Sequence, residues 1–474
     1  MVAPKTTIDD EARKARLVKE LKASLKQSSV LTPDSEGYAE SIRRWSDAME
    51  RKAGVVVLVR SAEEISKTVL LCREYQVTFA VSGGKHASNG AASTEGGLVI
   101  DLSQMRTVEV DRAAQTVKVQ GGCIWRDVDE AAAEHGLAMV GGTINHTGVG
   151  GLTLGGGYGW LSGRYGLTID ALLAITMVLA DGSIVHASRD NLPDLFWAVR
   201  GAGHCFGVAV DFTFRAQEQP GTVWAGQLAF PLEKLEEVVS FANNLVKTTN
   251  GDSGLVMGIT APPFTGGNPA VVSTVFHNGP QEAAEAVFGP LLAVGPIINS
   301  VKQRPYREIN GMMNHAVEYG GRKLSKGATF VTPLRPEFVR SLVPDLQSLH
   351  RTIPGSRKTI MLFEFFRPDA WLSVARDATA HGHRGAHQNL MIGPFWDNAA
   401  DDAAAAAWSR GIAEKARAEF EQQTGGAPYT EYGNYDHLAA DPRQVFGTNF
   451  ARLCELKTKY DPENVFNKSY ALVL

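Results

Sequence analysis

Long hydrophobic runs, clustered cysteines and a charge of one sign are all missing from this 474-residue sequence. No apolar run approaches the ~18 residues that span a bilayer, so we predict no transmembrane helix. Lys and Arg total 47 against 51 Asp and Glu, and the two signs are intermixed along the chain. Because a nucleic-acid binder concentrates basic residues in a patch or stripe, we expect neither nucleic acid nor a membrane as a partner.

Cysteine is scarce and dispersed, and no two cysteines form a C-x-x-C pair. This usage disfavours a disulfide framework and a structural zinc site. The first 20 residues are charged and carry no apolar stretch after their basic residues, so they do not read as a secretory signal. The carboxyl end, SYALVL, carries no peroxisomal or endoplasmic-reticulum tripeptide. We therefore expect a cytoplasmic protein.

Short strand patterns dominate the first half of the chain. GVVVLVRS and VTFAV are β-branched apolar runs on either side of a helical pattern, AEEISKTVLLCREY. ITMVLADGSIVHAS predicts a hairpin, because Asp-Gly is a strong two-residue turn signal. We predict a helical extension over residues 1–36, which ends in a Pro-containing loop, and an α+β domain over residues 37–218.

Longer elements follow a predicted boundary at Pro220 and Gly221. WAGQLAFP, GLVMGIT and TIMLFEFF read as strands, and PEFVRSLVPDLQSLH and an Ala-rich segment ending at Gly425 read as helices. We predict a second domain over residues 219–429, an antiparallel sheet covered by helices. Residues 430–474 form a distinct tail that returns to the first domain.

Glycine is concentrated in one domain, in SGGKH, QGG, GGT, RGAGHCFG and above all GVGGLTLGGGYG. Glycine allows main-chain N–H groups to approach a ligand closely, and several such groups form a concavity suited to phosphate. For a single Gly-Gly pair an ordinary turn remains the alternative. No G-x-G-x-x-G opens a helix after a strand and no Walker A sequence occurs, so a Rossmann site and a P-loop are both disfavoured.

These motifs resemble a known family. GGTINHTGVGGLTLGGGYGW, DLFWAVRGAGHCFGV and the tail elements YGNY and PENVFN are similar to berberine bridge enzyme-like oxidases, which belong to the vanillyl-alcohol-oxidase, or PCMH-type, FAD-binding superfamily. The resemblance covers about residues 40–215 and 430–474. It implies a two-subdomain PCMH-type FAD-binding domain joined to an α/β substrate domain.

The resemblance also implies an activity. Such an enzyme is an FAD-linked oxidoreductase, an oxidase that transfers a hydride from a small alcohol, sugar or secondary metabolite to flavin, with dioxygen as acceptor. The alternatives are a non-redox cyclase of secondary metabolism that uses FAD as a scaffold, and an inert flavin-binding protein, because fold alone does not fix function. We expect a monomer or a homodimer.

The loop VSGGKH carries the covalent link that the resemblance implies. His86 falls on the histidine that the family bonds to the 8α-methyl of FAD, and an imidazole is a plausible nucleophile. Lys85 replaces the glycine that usually precedes this histidine. Ile144 occupies the position of the cysteine that attaches the flavin a second time in many members. We therefore predict FAD attached once, through His86.

Further cofactor-binding residues are carried over from the same motifs. They are Ser82, Gly83, Gly84, Lys85, Thr143, Gly148, Gly150, Gly151, Gly155, Gly156, Gly157, Gly159, Gly207, Val208 and Asn434.

The catalytic candidates come from two segments. Tyr432, in the Y-x-N-Y element, matches a position that faces the flavin in relatives and is the predicted base; a core tyrosine is the alternative. His383 and Arg384 match the family's P-H-R element, and period-two alternation would place His381 and His383 on one face. We expect no metal, since no carboxylate or cysteine supports those histidines.

Two other side chains are left open. Glu364 could substitute as the base, although we expect it to alternate outward from its strand. Tyr158 flanks the glycine loop and could line the pocket or pack in the core.

Overall fold

The computed structural model describes residues 11–219, 221–435 and 441–473, and the strands of those residues form three main sheets. Their first sheet is mixed. Three of its strands are parallel and the fourth pairs antiparallel at one edge. In spatial order the strands are Ser29–Leu31, Val55–Leu58, Leu98–Asp101 and Phe79–Ser82.

The predicted strand–helix–strand unit of the first sheet is confirmed. Helix Ala62–Glu74 connects Val55–Leu58 to Phe79–Ser82, and Ser61 caps it by accepting a hydrogen bond from the Glu64 amide. A loop was expected before residue 36, but Ser29–Leu31 forms the antiparallel edge strand instead. The first helix is Glu11–Ser24, and the segment that follows it is therefore part of this sheet.

The second sheet is antiparallel throughout and contains the predicted hairpin. Asp181–Gly182 forms its turn, with Gly182 at φ +81°, which explains the Asp-Gly pair. In spatial order the strands are Val108–Asp111, Thr116–Gln120, Val208–Arg215, Leu172–Val178 and Ile184–Ser188.

The third sheet, the large sheet, is also antiparallel, as predicted for the second half of the chain. Two short strands, Lys302–Pro305 and Ile298–Asn299, lie side by side at one edge of this sheet, and both pair with strand Thr222–Pro231. The path of the large sheet runs through Ile298–Asn299, Thr222–Pro231, Ala270–His277, Ser253–Thr260, Ile360–Phe365, Gln388–Gly393 and Lys326–Phe330. Short pairs elsewhere join Leu137–Ala138 to Gln217–Glu218 and Arg322–Lys323 to Phe395–Trp396.

Helices cover one face of the large sheet and leave the other to face the glycine-rich half. Leu235–Thr248, Gln281–Ala293 and Asp402–Thr424 bury apolar side chains against alternate residues of the strands, such as Met361 and Phe363. The intervening residue Leu362 belongs to a separate apolar cluster on the opposite face. Side chains on that opposite face therefore point into the molecule and not into solvent.

One predicted helix is broken. PEFVRSLVPDLQSLH forms Pro336–Ser341 and Val343–Thr352, because Pro344 removes an amide donor and crowds the preceding turn. The remaining helices are Tyr38–Ile42, Trp125–Glu134, Val149–Leu154, Ser162–Tyr165, Pro193–Ala202, Asp369–Leu372, Arg443–Phe446 and Phe450–Tyr460.

The tail packs on the glycine-rich half. Phe446, Phe450 and Leu453 share an apolar cluster with the second sheet and helix Pro193–Ala202, and Val465 and Phe466 pack with the first sheet. Within the described ranges, none of the helices has the length and apolar character that crossing a bilayer requires. The domain boundaries, of which Pro220 lies outside the described residues, stay predictions, as do the oligomeric state and the cytoplasmic location.

Candidate active site

A cavity of about 1080 Å³ lies between the glycine-rich loops and the inner face of the large sheet. Its wall includes backbone from five glycine-containing segments of the first half and side chains from strands of the large sheet. From the first half it is lined by Gly83, Gly84, Lys85, His86, Gly121, Gly142, Thr143, Ile144, Thr147, Gly148, Gly150, Gly151, Gly155, Gly201 and Gly207. Most of the predicted cofactor-binding residues thus meet around one space.

Two of the glycine loops touch each other at this wall. A Cβ on Gly84 would lie 2.2 Å from the Gly148 amide nitrogen, and one on Gly148 would lie 2.6 Å from the Gly84 nitrogen. Neither position therefore accepts a side chain unless the backbone moves. At Gly151 a Cβ would meet nothing within 4 Å, because that residue borders the open cavity.

Other predicted binding glycines serve packing. At Gly156 (φ +122°) a Cβ would lie 2.7 Å from the His381 ring, and at Gly159 it would lie 1.9 Å from the Gly141 carbonyl oxygen. These residues lie behind the lining and not on it, because the loop must pass close to neighbouring chain segments. The predicted residues placed behind the cavity wall are Ser82, Gly156, Gly157, Gly159 and Val208.

His86 lines the cavity inside a group of aromatic rings. Its imidazole stacks on Trp45, with ring centroids 5.2 Å apart and an interplanar angle of 17°. His86 Nε2 lies 2.7 Å from His146 Nδ1, and the Tyr319 ring meets His86 edge-on at 5.5 Å. Trp45, His146 and Tyr319 come from three separate loops. His146 lies within the motif GGTINHTGVGG, but no sequence pattern indicated that these three rings meet His86.

Lys85 adopts φ +62°, a conformation that favours glycine. The family's usual glycine at this position is therefore explained by the backbone. Lys85 Nζ lies 3.5 Å from Asp101 Oδ2 and donates to the Glu40 and Ser41 carbonyl oxygens at 3.4 Å. These contacts hold the lysine away from the imidazole that follows it.

A buried carboxylate stands on the large-sheet wall of the same cavity. Glu364 is 3% exposed; it accepts a hydrogen bond from the Tyr435 hydroxyl at 3.0 Å and another from the Tyr158 hydroxyl. Burial raises the pKa of the Glu364 carboxyl to about 7, although both hydrogen bonds act to lower it. Among the described residues of the lining, Glu364 is the sole carboxylate.

The expectation that Glu364 points outward is wrong. Alternation along Ile360–Phe365 puts Glu364 on the face of Leu362, and that face is covered by the glycine-rich half. The sequence pattern gave the correct alternation, but it could not show that both faces of this sheet are covered. Tyr158 lines the cavity and also belongs to a buried apolar cluster, so it has both of the roles left open by the sequence.

Tyr432 also lines the cavity, with its hydroxyl oxygen held in place. The Gly157 amide donates to it at 3.2 Å and Asn434 Nδ2 donates at 2.8 Å. Asn434 Nδ2 also donates to the Leu152 carbonyl oxygen at 2.9 Å, which ties the tail to the glycine loop. Burial raises the pKa of Tyr432, so its hydroxyl is protonated at neutral pH.

His383 and Arg384 lie outside the cavity lining and have structural partners. His383 Nδ1 lies 3.0 Å from Thr430 Oγ1 and Nε2 lies 2.9 Å from Asn389 Oδ1; burial lowers its pKa to about 4. The Arg384 guanidinium donates to both oxygens of Asp170, at 2.5 and 3.1 Å. The contacts of both residues indicate anchoring of the loop before Gln388–Gly393.

The predicted alternation of His381 and His383 does not apply, because the strand begins only at Gln388. The loop that contains them is irregular, and both rings are buried in it. Among the described residues, no group of three or more His, Cys, Asp or Glu side chains could hold a metal ion.

Comparison with known proteins agrees with this arrangement. A family model described as an FAD binding domain matches residues 53–188, and one described as berberine and berberine like matches residues 431–471. The FAD-linked oxidoreductase pgmH of Aspergillus terreus is 32% identical over 98% of this chain and 97% of its own length.

Solved structures show the same fold. The 6-hydroxy-D-nicotine oxidase of Arthrobacter nicotinovorans superposes with a TM-score of 0.81 at 25% identity, over 100% of this chain and 99% of the other. Glucooligosaccharide oxidase from Acremonium strictum, which carries a 6-S-cysteinyl, 8α-N1-histidyl FAD, has a TM-score of 0.81 at 22% identity over 97% and 99%. The chain therefore belongs to the berberine bridge enzyme-like FAD-linked oxidoreductases.

Proposed function

We propose that this chain is an oxidase that holds FAD through a single covalent bond to His86 and oxidises a small, largely apolar molecule carrying a hydroxyl or amine group. The observation that carries the proposal is the buried Glu364, hydrogen-bonded to two tyrosines, in the same cavity as His86. The electron acceptor that we propose for turnover is dioxygen.

The residues present fit FAD. A ligand pocket measures about 300–1,000 Å³, so a cavity of about 1080 Å³ has room for a large cofactor and a small substrate together. Part of the wall consists of crossing glycine loops whose main chain is not covered by side chains, as close contact with phosphate or a planar ring requires. His86 lies on the same wall and supplies the nucleophile.

The proposal of one covalent link rests on Ile144. This residue lines the cavity, and its side chain is a hydrocarbon that cannot form a thioether. The glucooligosaccharide oxidase named above carries both a cysteinyl and a histidyl bond. In this chain the four cysteines are buried, and Cys123, Cys205, Cys72 and Cys454 all lie outside the cavity lining.

Glu364 is the base that we propose for the reaction. FAD, when bound, supplies the acceptor for the hydride that leaves the substrate carbon. Glu364 takes the accompanying proton from the substrate hydroxyl or amine, directly or through the hydroxyl of Tyr158 or Tyr435. A pKa near 7 suits this task, because a base works best when its pKa lies near the operating pH.

Tyr432 orients the substrate in this proposal and does not act as the base that the sequence suggested. Its oxygen already accepts two hydrogen bonds, from Gly157 and Asn434, so its own proton is available to a further acceptor. A substrate oxygen or nitrogen next to Tyr432 would take that hydrogen bond. The raised pKa of Tyr432 keeps the proton in place at neutral pH.

The substrate class follows from the large-sheet wall. Sugars present many hydroxyl groups and need many polar partners, whereas this wall is rich in hydrocarbon. An apolar metabolite or an aromatic amine fits such a wall better than an oligosaccharide does. The apolar side chains of this wall are those of Leu228, Val256, Ile360, Leu362, Met391 and Phe395, and its polar ones are those of Gln227, Thr260, Ser273, Thr274 and Glu364.

Anaerobic mixing tests the proposal. The purified protein is combined, without oxygen, with a panel of apolar alcohols, phenols, aromatic amines and oligosaccharides while the flavin absorbance is followed. We expect bleaching with members of the apolar groups, and recovery of the absorbance with release of hydrogen peroxide on admission of air. Product formed while the flavin stays oxidised would instead establish the scaffolded cyclase, and bleaching by oligosaccharides alone would contradict the substrate class.

A further inference from the structure

His146 contacts the residue that carries the proposed covalent bond. Its Nδ1 lies 2.7 Å from His86 Nε2, and the two ring centroids are 4.8 Å apart. Tyr319 packs on His146 at 5.2 Å. Burial, and after it Lys323 and Arg126, lower the pKa of His146 to about 4, against an opposing effect of Glu318. This environment disfavours a charged imidazolium, so His146 is neutral and can accept a hydrogen bond.

We infer that His86 Nε2 donates and His146 Nδ1 accepts in this contact, a direction that fixes one tautomer of His86. When His146 Nδ1 accepts, the His86 proton sits on Nε2 and the lone pair sits on Nδ1. A neutral imidazole has one such lone pair, and it is the nucleophile in bond formation. Trp45, stacked on the same ring at 17°, fixes the plane in which that lone pair lies.

We propose that His146 is a positioning residue for flavin attachment: it holds the proton of His86 on Nε2 and thereby directs Nδ1 to the 8α carbon. The Nε2 proton leaves once the bond has formed, because an imidazole substituted at Nδ1 and still protonated at Nε2 would be a cation. The inference rests on the proposed covalent link through His86.

In the proposed attachment step, a bond would form between His86 Nδ1 and the 8α carbon, and one C–H bond of the methyl group would break. The methyl group would give up one proton and two electrons, and the imidazole would give up its Nε2 proton. Dioxygen takes up the two electrons and two protons in total and becomes hydrogen peroxide.

A purely structural role for His146 would have a different consequence. Loss of packing would weaken the binding of all flavin, attached or not. The proposed role affects the conversion of bound flavin into attached flavin. The ratio of acid-stable to total FAD therefore separates the two.

The test uses the full-length protein and the variants His146→Ala, His146→Asn and His186→Ala. His186 is an exposed histidine on strand Ile184–Ser188, outside the cavity lining, and serves as the matched histidine control. Each protein is incubated with FAD in air, and samples are divided between native spectra, which report total flavin, and acid denaturation with intact-mass measurement, which reports attached flavin. The time course gives the rate of attachment.

We expect at least a tenfold slower attachment in His146→Ala at nearly unchanged total FAD. His146→Asn should recover much of the rate, since its amide oxygen can accept the Nε2 hydrogen bond, and His186→Ala should behave like the parent. Should His146→Ala fail to fold, a parent-like rate in His146→Gly with added imidazole and a slow rate without it would give the same support.

Parent-like attachment in His146→Ala would overturn the inference and leave the link through His86 intact. Equal loss of total and attached FAD in both His146→Ala and His146→Asn would also overturn it, in favour of a packing role. A parent protein with no acid-stable FAD at all would overturn the proposed link itself, and the inference with it.

Discussion

Glu364 is the single residue on which the proposed oxidation depends most. Replacement by glutamine keeps its shape but removes the ability to accept a proton. We expect Glu364→Gln to lower the rate constant of anaerobic flavin reduction by about 10²–10⁴-fold, the range associated with general base catalysis. Stopped-flow absorbance with a substrate found in the anaerobic screen measures this constant.

The control for that variant is Glu337→Gln, on the exposed side of helix Pro336–Ser341. It should reduce its flavin at the parent rate. If Glu364→Gln also keeps the parent rate, Glu364 is not the base, and Tyr432 returns as the candidate.

The same carboxyl predicts a pH dependence. Its pKa is raised to about 7 by burial, and the deprotonated form is the one that accepts a proton. The rate constant of flavin reduction should therefore rise with pH through about 7 and level off above it. A profile measured from pH 5 to 9 checks this, and the inflection near 7 should be absent in Glu364→Gln.

At the scale of loops, the crossing of Gly84 and Gly148 is the most constrained contact. A Cβ at residue 84 would lie 2.2 Å from backbone nitrogen, so Gly84→Ala must displace one of the two loops. We expect a loss of about 1–3 kcal/mol in the free energy of unfolding, the usual range for overpacking, and weaker FAD retention.

Chemical denaturation of the purified variants measures that loss. The matched variant is Gly411→Ala in the middle of helix Asp402–Thr424, where a Cβ would meet nothing within 4 Å. It should stabilise the protein by up to about 1 kcal/mol, because alanine favours the helix. Unchanged stability in Gly84→Ala would contradict the close crossing of the two loops.

The loop before Gln388–Gly393 provides a test of anchoring against catalysis. Arg384 is 1% exposed and pairs with both oxygens of Asp170, whose side chain is 10% exposed. Removing the cation in Arg384→Leu leaves a nearly buried carboxylate unpaired, which costs about 3–5 kcal/mol.

We therefore expect Arg384→Leu to melt at a markedly lower temperature while its folded, flavin-loaded fraction still reduces flavin at close to the parent rate. Differential scanning fluorimetry and stopped-flow measurements on the same sample check both parts. A stable Arg384→Leu protein with a rate reduced a hundredfold would support the catalytic role that the sequence suggested.

At the scale of the whole molecule, the sequence was informative wherever the pattern is local. The hairpin at Asp181–Gly182 and helix Ala62–Glu74 follow from turn chemistry, periodicity and a serine cap. The glycine segments indicated one binding space because close approach of backbone needs glycine at the position itself. These features required no knowledge of distant residues.

What the sequence could not show depends on residues far apart in the chain. Trp45, His146 and Tyr319 meet around His86 from three loops, and neither periodicity nor spacing relates them. Glu364 alternates as predicted, but its burial depends on the glycine-rich half that covers that face. Edge strand Ser29–Leu31 is three residues long, too short for a periodic signal.

Both halves of the chain line the cavity, and His86 is the residue through which we propose that FAD is attached. The most direct measurement is therefore made on purified parent protein and His86→Ala, each denatured in acid, separated on a denaturing gel and viewed under ultraviolet light. We predict a fluorescent band in the parent that is absent from His86→Ala. A dark parent band beside a yellow native protein, or equal fluorescence in both proteins, would contradict the account.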